Sequence, residues 1–411
     1  MTKKSKWIDI AILNLVVVAL LGVVLRSKIL FALPLINYNH LLEGHSHFTF
    51  GGWVTLAIMV LMVYELLPEA LNKKNIYQWL FTGIALSAWG MLITFFLQGY
   101  NSISILFSTT FILVTYIFSV TFIIDIIKAK PVRPVLLLAI SSMACLILSS
   151  AGSFIIVYIY FSKSFEAFLY RDALFTYLHF QYNGFFSLAI FALLFNHIAN
   201  YITEKTQKKV YRFSLVLCIS IIPSLFLSYL WQDPKPVFRI IAIAGSSLLL
   251  FTCFLFLVVS NSLLTNYREE KPVIRILIFL SMSAFLLKLF LQCFTIFPVI
   301  GNAIFGNRPI IMGFLHLVFL GFVTLFILAF FAKINLLDAT KASTRAALIT
   351  LSLAVILNEI LLFAQGLTTM FIPGSVLFPW LLLGAGTGLF AGAILIIIAR
   401  AQTKRPIQNL S

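Results

Sequence analysis

Four histidines, His45, His47, His179 and His316, are the residues of this chain best suited to chemistry. Neutral imidazole is the commonest protein metal ligand, and two imidazoles on opposite faces of a porphyrin hold a low-spin haem iron. Each of the four lies at the start of a long apolar run or a few residues into it, where a polar side chain is costly unless it is used. His45 and His47 are two residues apart, so on a helix they point about 200° apart and only one can face a given iron. The spacing leaves open which one does. His40, in a polar connection, and His197, at the end of an apolar run, read as ordinary surface and helix-end residues.

Other polar groups collect at the same level. Lys288 stands inside an apolar run with Gln292 one turn further on, and Arg308 opens the next run. Haem propionates need cationic partners, and Lys288 and Arg308 are the candidates, with outward snorkelling the alternative for Lys288. Glu359, next to Asn358, is an intramembrane acid that could pair with Lys288 or relay protons. Tyr182 and Asn183, three and four residues after His179, share its helical face and make up a small candidate catalytic site with it.

The elements that must hold these side chains are membrane helices. A chain of 411 residues that is 61% hydrophobic and 10% charged, with a mean hydropathy of +1.05, has more apolar surface than a water-soluble core could bury. Runs of about 20 apolar residues, long enough to cross a hydrocarbon layer of ~30 Å as helix, fall near 7–27, 44–67, 76–98, 102–127, 134–160, 174–199, 210–230, 238–263, 273–295, 309–332, 344–366 and 376–399. The expected fold is therefore an all-α integral membrane protein, one polytopic domain over residues 1–411 with about twelve transmembrane helices. Short cytoplasmic loops collect Lys and Arg. With the N-terminus inside, 21 of the 29 basic residues fall on one side and 7 on the other, with Lys288 in the membrane, so both termini are expected in the cytoplasm. The second, sixth and tenth spans then all run inward, and the four histidines sit at one depth near the outer face.

The net charge of +16 reflects this topology and attraction to anionic lipid, and no basic cluster is dense enough to suggest a nucleic-acid partner. All four cysteines, Cys145, Cys218, Cys253 and Cys293, fall within spans without C-x-x-C spacing, which excludes a disulfide framework or a zinc site. Lys-, Ile-, Phe- and Asn-rich usage suggests a bacterium with AT-rich DNA, and hence the cytoplasmic (inner) membrane.

Three segments carry a resemblance. HLLEGHSHFTFGGWVTLAIMVLMVYELLPE at 40–69, YLHFQYNGFFSLAIFALLFNH at 177–197 and GFLHLVFLGFVTLFILAFFA at 313–332 resemble helices 2, 6 and 10 of subunit I of the haem-copper oxidase superfamily, and most of all the large subunit of nitric oxide reductase. The resemblance implies a subunit I-like bundle in which haem iron is held by His45 or His47 together with His316, and in which His179 matches a ligand of the copper or non-haem iron beside a second haem. The sequence also departs from that pattern. Phe314 stands where the high-spin haem ligand belongs, the seventh and eighth spans hold no histidine, and Asn183 occupies the position of a tyrosine or glutamate. One histidine cannot build a three-histidine metal site. The resemblance thus implies one low-spin haem b, with His179 either lining a degenerate second site for haem, copper or non-haem iron or contacting a ligand directly, and without proton-pumping dioxygen reduction.

The leading expectation is a haem-binding, oxidase-like or nitric oxide reductase-like protein that transfers electrons or handles nitric oxide or oxygen. Quinol or cytochrome c would be the electron donor. A proton-coupled transporter using Lys288, Glu359 and His179 is a second reading, and a non-catalytic subunit or assembly partner of a respiratory complex is a third.

Overall fold

A computed structural model describes residues 2–163, 166–232, 235–263, 270–371 and 375–404. Among them are twelve helices long and apolar enough to cross a membrane: α1 Lys3–Leu30, α2 Tyr38–Leu66, α3 Asn75–Gln98, α4 Ser102–Ala129, α5 Arg133–Ser162, α6 Ala167–Tyr201, α7 Glu204–Trp231, α8 Pro236–Leu263, α9 Pro272–Phe294, α10 Arg308–Lys333, α11 Ala342–Thr369 and α12 Leu377–Lys404. Local chemistry marks their starts. Asn101 and Ser104 form a reciprocal capping box at α4, Asn307 caps α10, and Pro134, Pro272 and Pro309 occupy first-turn positions where a missing N–H costs nothing. The sixth helix begins seven residues before the expected 174, so His179 is thirteen residues into it.

The helices divide into three inside and nine outside. Of the most apolar stretch of each, 83% is buried in α2, 100% in α6 and 72% in α10, against 33 to 56% in the other nine. These inner three are the histidine-bearing helices. The outer nine form a ring, because α12 packs on α1, α5 on α7 and α9 on α11, and Trp7 of α1 packs on Phe81 of α3. The inner helices divide the space within the ring into three compartments. One lies among α10, α11, α12, α1 and α2, a second among α2 to α6, and a third among α6 to α10.

Close packing holds the ring together, as it must where lipid removes the hydrophobic drive between helices. A Cβ at Gly152 would lie 2.2 Å from the Ala173 carbonyl oxygen, so only glycine lets α5 approach α6 this closely. Both described chain ends lie at one end of the bundle, where Arg400 of α12 bonds Asp9 and Ser5 of α1. Lys4–Glu65, Lys74–Asp125 and Lys333–Glu270 pair at the same end.

The inner helices share a further feature. Each contains π-helical turns, at Thr49–Thr55 and Met62–Leu66 in α2, Phe180–Phe186 in α6 and Leu317–Thr324 in α10, and no outer helix does among the described residues. Such turns hold an extra residue and are common at functional sites. Two of these segments begin directly after His179 and His316, and a third begins two residues after His47.

Candidate functional site

In the half of the bundle away from the termini, a cavity of about 480 Å³ is lined by His45, His316, Arg26, Gly22 and Met312 among others. His316 Nδ1 meets the Met312 carbonyl oxygen at 2.7 Å. A carbonyl only accepts, so Nδ1 carries the proton and Nε2 keeps a free lone pair, the tautomer a metal needs. Across the cavity, His45 Nδ1 is buried without a partner, and the bare face of Gly22 leaves room beside its ring. His45, His316 and Arg26 lie within electrostatic reach of one another. The Arg26 guanidinium donates to the Leu382 carbonyl of α12 and to Asn358 Oδ1 of α11, and Asn358 in turn donates to Glu359 at 3.0 Å.

His47 also lines the cavity but faces the other way. Its ring stacks on Phe95 of α3 with centroids 4.3 Å apart and planes 2° apart. Of the two neighbouring histidines, His45 is thus the one turned toward α1 and α10.

The third compartment is built differently. His179 is fully buried with both ring nitrogens engaged: Nε2 donates to the Ile221 carbonyl of α7 at 2.7 Å, and Nδ1 accepts from Asn183 at 3.0 Å. No lone pair is left for a metal. Lys288, also fully buried, donates to the Tyr182 carbonyl at 3.2 Å and to Ser187 Oγ at 2.9 Å. Its ammonium stands 5.4 to 5.6 Å from the rings of Tyr182, Phe285 and Phe322. Phe314 packs edge-on against Tyr182 at 5.6 Å, and Phe191 against Phe285 at 4.8 Å, so aromatic side chains fill the space. Among the described residues, no three of His, Cys, Asp and Glu converge as a metal cage.

The structure therefore separates residues that the sequence suggested together. His45 and His316 meet at one cavity. Lys288 does not line it, and Glu359 lies beside Asn358 and Arg26 rather than Lys288. Arg308 sits at the mouth of α10, bonded to the Tyr38 hydroxyl at 3.2 Å and over its ring, and is absent from the cavity lining. The cation at the cavity is Arg26, one of the seven basic residues counted on the outer side and the last charge within the first expected span; the signal was a single charge one turn before the end of α1.

The donor set fits a bis-histidine haem at His45 and His316: one imidazole with a free Nε2, one with an unpartnered nitrogen, and a guanidinium lining the same cavity. It does not fit a copper or non-haem iron at His179.

No family profile and no curated protein sequence matches this chain. In fold it is similar to a solved structure described as a heme-copper terminal oxidase dimer, with a TM-score of 0.69 at 14% identity, covering 98% of this chain and 83% of that one. At that identity the likeness is one of architecture: an all-helical, twelve-span bundle like subunit I of the haem-copper oxidases.

Proposed function

Starting from a haem-copper oxidase-like membrane fold, we propose that this chain is an electron-transfer protein of the bacterial cytoplasmic membrane, with both termini in the cytoplasm and one low-spin haem b between His45 and His316. The observation that carries this reading is the His316 tautomer, with Nδ1 fixed on Met312 and Nε2 bare across a cavity from an unpartnered His45 nitrogen. A haem so held supplies reversible one-electron chemistry.

The chain's own residues do the rest. Met312 orients His316, and Gly22 clears the side of His45. Arg26, anchored by Leu382 and Asn358, offers the cavity a fixed positive charge for an anionic group such as a propionate. Electron transfer is favoured over diatomic chemistry, because a haem held by both His45 and His316 would leave no position for a diatomic ligand, and His179 has no donor atom to spare. Quinol or cytochrome c would supply the electron, and assembly into a larger respiratory complex is compatible with the role. A proton-coupled carrier is less well supported: His179 and Lys288 lie among α6, α7 and α9, and Glu359 lies on α11 beside Arg26.

The test is a reduced-minus-oxidised spectrum with haem and metal stoichiometry on protein purified from haem-replete cells. One haem b per chain and no copper are expected. Absence of Soret and α bands would end the reading.

A further inference from the structure

Glu43, His47 and Phe50 follow one another on α2 at helical spacing, so they share the face opposite His45. All three line the cavity where it continues past α2 into a second lobe among α2, α4, α5 and α6, whose inner walls include Phe111, Ile112 and Leu174. Glu43 stands at the outer end, near the start of α2 and about 10 Å along the helix from Phe50. Tyr100, Tyr170 and Tyr177 line the same end, and the first two lie within electrostatic reach of Glu43. Arg26 is the only Lys or Arg among the described residues that line the cavity, and it lies on the α1 side. The Glu43 carboxyl therefore has no cation in the lobe. Its Oε2 is buried without a hydrogen-bond partner, and neither Tyr100 nor Tyr170 bonds to it among the described residues.

A carboxylate held partly inside a membrane protein calls for a countercharge. An occupant can bring one. An ammonium group supplies the positive charge together with three N–H donors, which suit a carboxylate flanked by phenol oxygens that accept as well as donate. The aromatic faces around it add cation–π attraction, and the apolar walls further in suit a hydrocarbon chain. We propose that this lobe binds a lipophilic primary amine, with its ammonium on Glu43 beside Tyr100 and Tyr170 and its alkyl chain running inward along Phe111, Ile112 and Leu174. The carboxylate selects the occupant by charge: it repels an anionic amphiphile and gives an alcohol of the same length no ion pair. The site stands independently of a haem at His45, which is turned toward α1 and α10.

The test is equilibrium binding of octylamine to the full chain in phosphatidylcholine nanodiscs, in haem-loaded and haem-free preparations. Octanol is the uncharged control of equal length, and empty nanodiscs give the partition baseline. Saturable binding of the amine alone is expected in both preparations. Glu43→Gln, which keeps the side chain's shape and removes its charge, should weaken binding about tenfold. Ile112→Trp, which fills the lobe and leaves Glu43 in place, should abolish it. Octanol binding as tightly as the amine, unchanged affinity in Glu43→Gln, or full binding by Ile112→Trp would each overturn the proposal, and the first of these comparisons needs no variant. Displacement of the amine by an equal concentration of potassium would assign Glu43 to an inorganic cation instead. A lack of saturable binding would overturn the proposal outright.

Discussion

Two compartments flank α10, and each holds an imidazole of an inner helix. On the α1 and α2 side, His316 keeps a free Nε2, and His45, which lines the same cavity, keeps a buried Nδ1 without a partner. On the α6 and α9 side, His179 spends both nitrogens on Ile221 and Asn183, and phenyl rings and a buried ammonium occupy the room where a ligand would sit. The residue type is the same. The role is decided by whether the ring nitrogens already have partners. An intramembrane histidine reads as a ligand when a neighbour fixes one nitrogen and leaves the other bare, and as a cross-brace when neighbours take both.

The largest expected effect tests the open side. His316→Ala and His45→Ala should each reduce haem content to background, measured by pyridine haemochrome, while His47→Ala retains it. Retention in His45→Ala with loss in His47→Ala would reverse the assignment. The crowded side should respond in stability alone. His179→Leu strands the Asn183 amide, while the Ile221 carbonyl still accepts from Ser224 Oγ at 3.2 Å, and should cost about 1–3 kcal/mol in unfolding experiments with haem content unchanged. Loss of haem from that variant would mean the two compartments are not independent.

Arg26→Leu is expected to weaken haem retention about tenfold, or about 1.4 kcal/mol, read from the rate of haem transfer to apomyoglobin. Lys288→Met removes a buried charge that has no carboxylate beside it among the described residues, and its acceptors Tyr182 and Ser187 still bond each other at 2.6 Å. Stability should change by less than about 1 kcal/mol or rise. If this variant lost haem, Lys288 would return to the propionate role that the sequence suggested. The smallest effect belongs to Arg308→Gln, whose bond to Tyr38 is exposed. A change within about 0.5 kcal/mol and unaltered haem content are expected.

The twelve helices were legible in the sequence because each has to satisfy its backbone inside lipid, which demands an apolar run of fixed minimum length. Their division into inner and outer is hidden from hydropathy at α10, which is as apolar as helices that face lipid, whereas α2 and α6 are the least apolar of the twelve. The site was half legible. Spacing showed that His45 and His47 oppose one another but not which face α2 turns to α10, because that rotation is set by packing against α1 and α3. Arg26 rather than Lys288 enters the histidine-lined cavity for a related reason. Hydropathy locates a charge along the membrane normal, whereas the compartment it enters depends on its position around the helix. The engagement of both His179 nitrogens depended on the Ile221 carbonyl, forty-two residues away, and no local pattern announces such a contact.

The π-helical turns that follow His179 and His316 have a consequence for how the inner helices can change. Each accommodates a residue beyond the α-helical count by widening a turn, so the helix before it and the helix after it keep nearly the facing they would have without that residue. Deleting one residue within Leu317–Thr324 would therefore let the segment narrow to ordinary α-helix with His316 still turned to its compartment, whereas the same deletion in a purely α-helical stretch would rotate one half of the helix by about 100° against the other. In these three helices the wide turns make the direction of an imidazole tolerant of a residue gained or lost beside it.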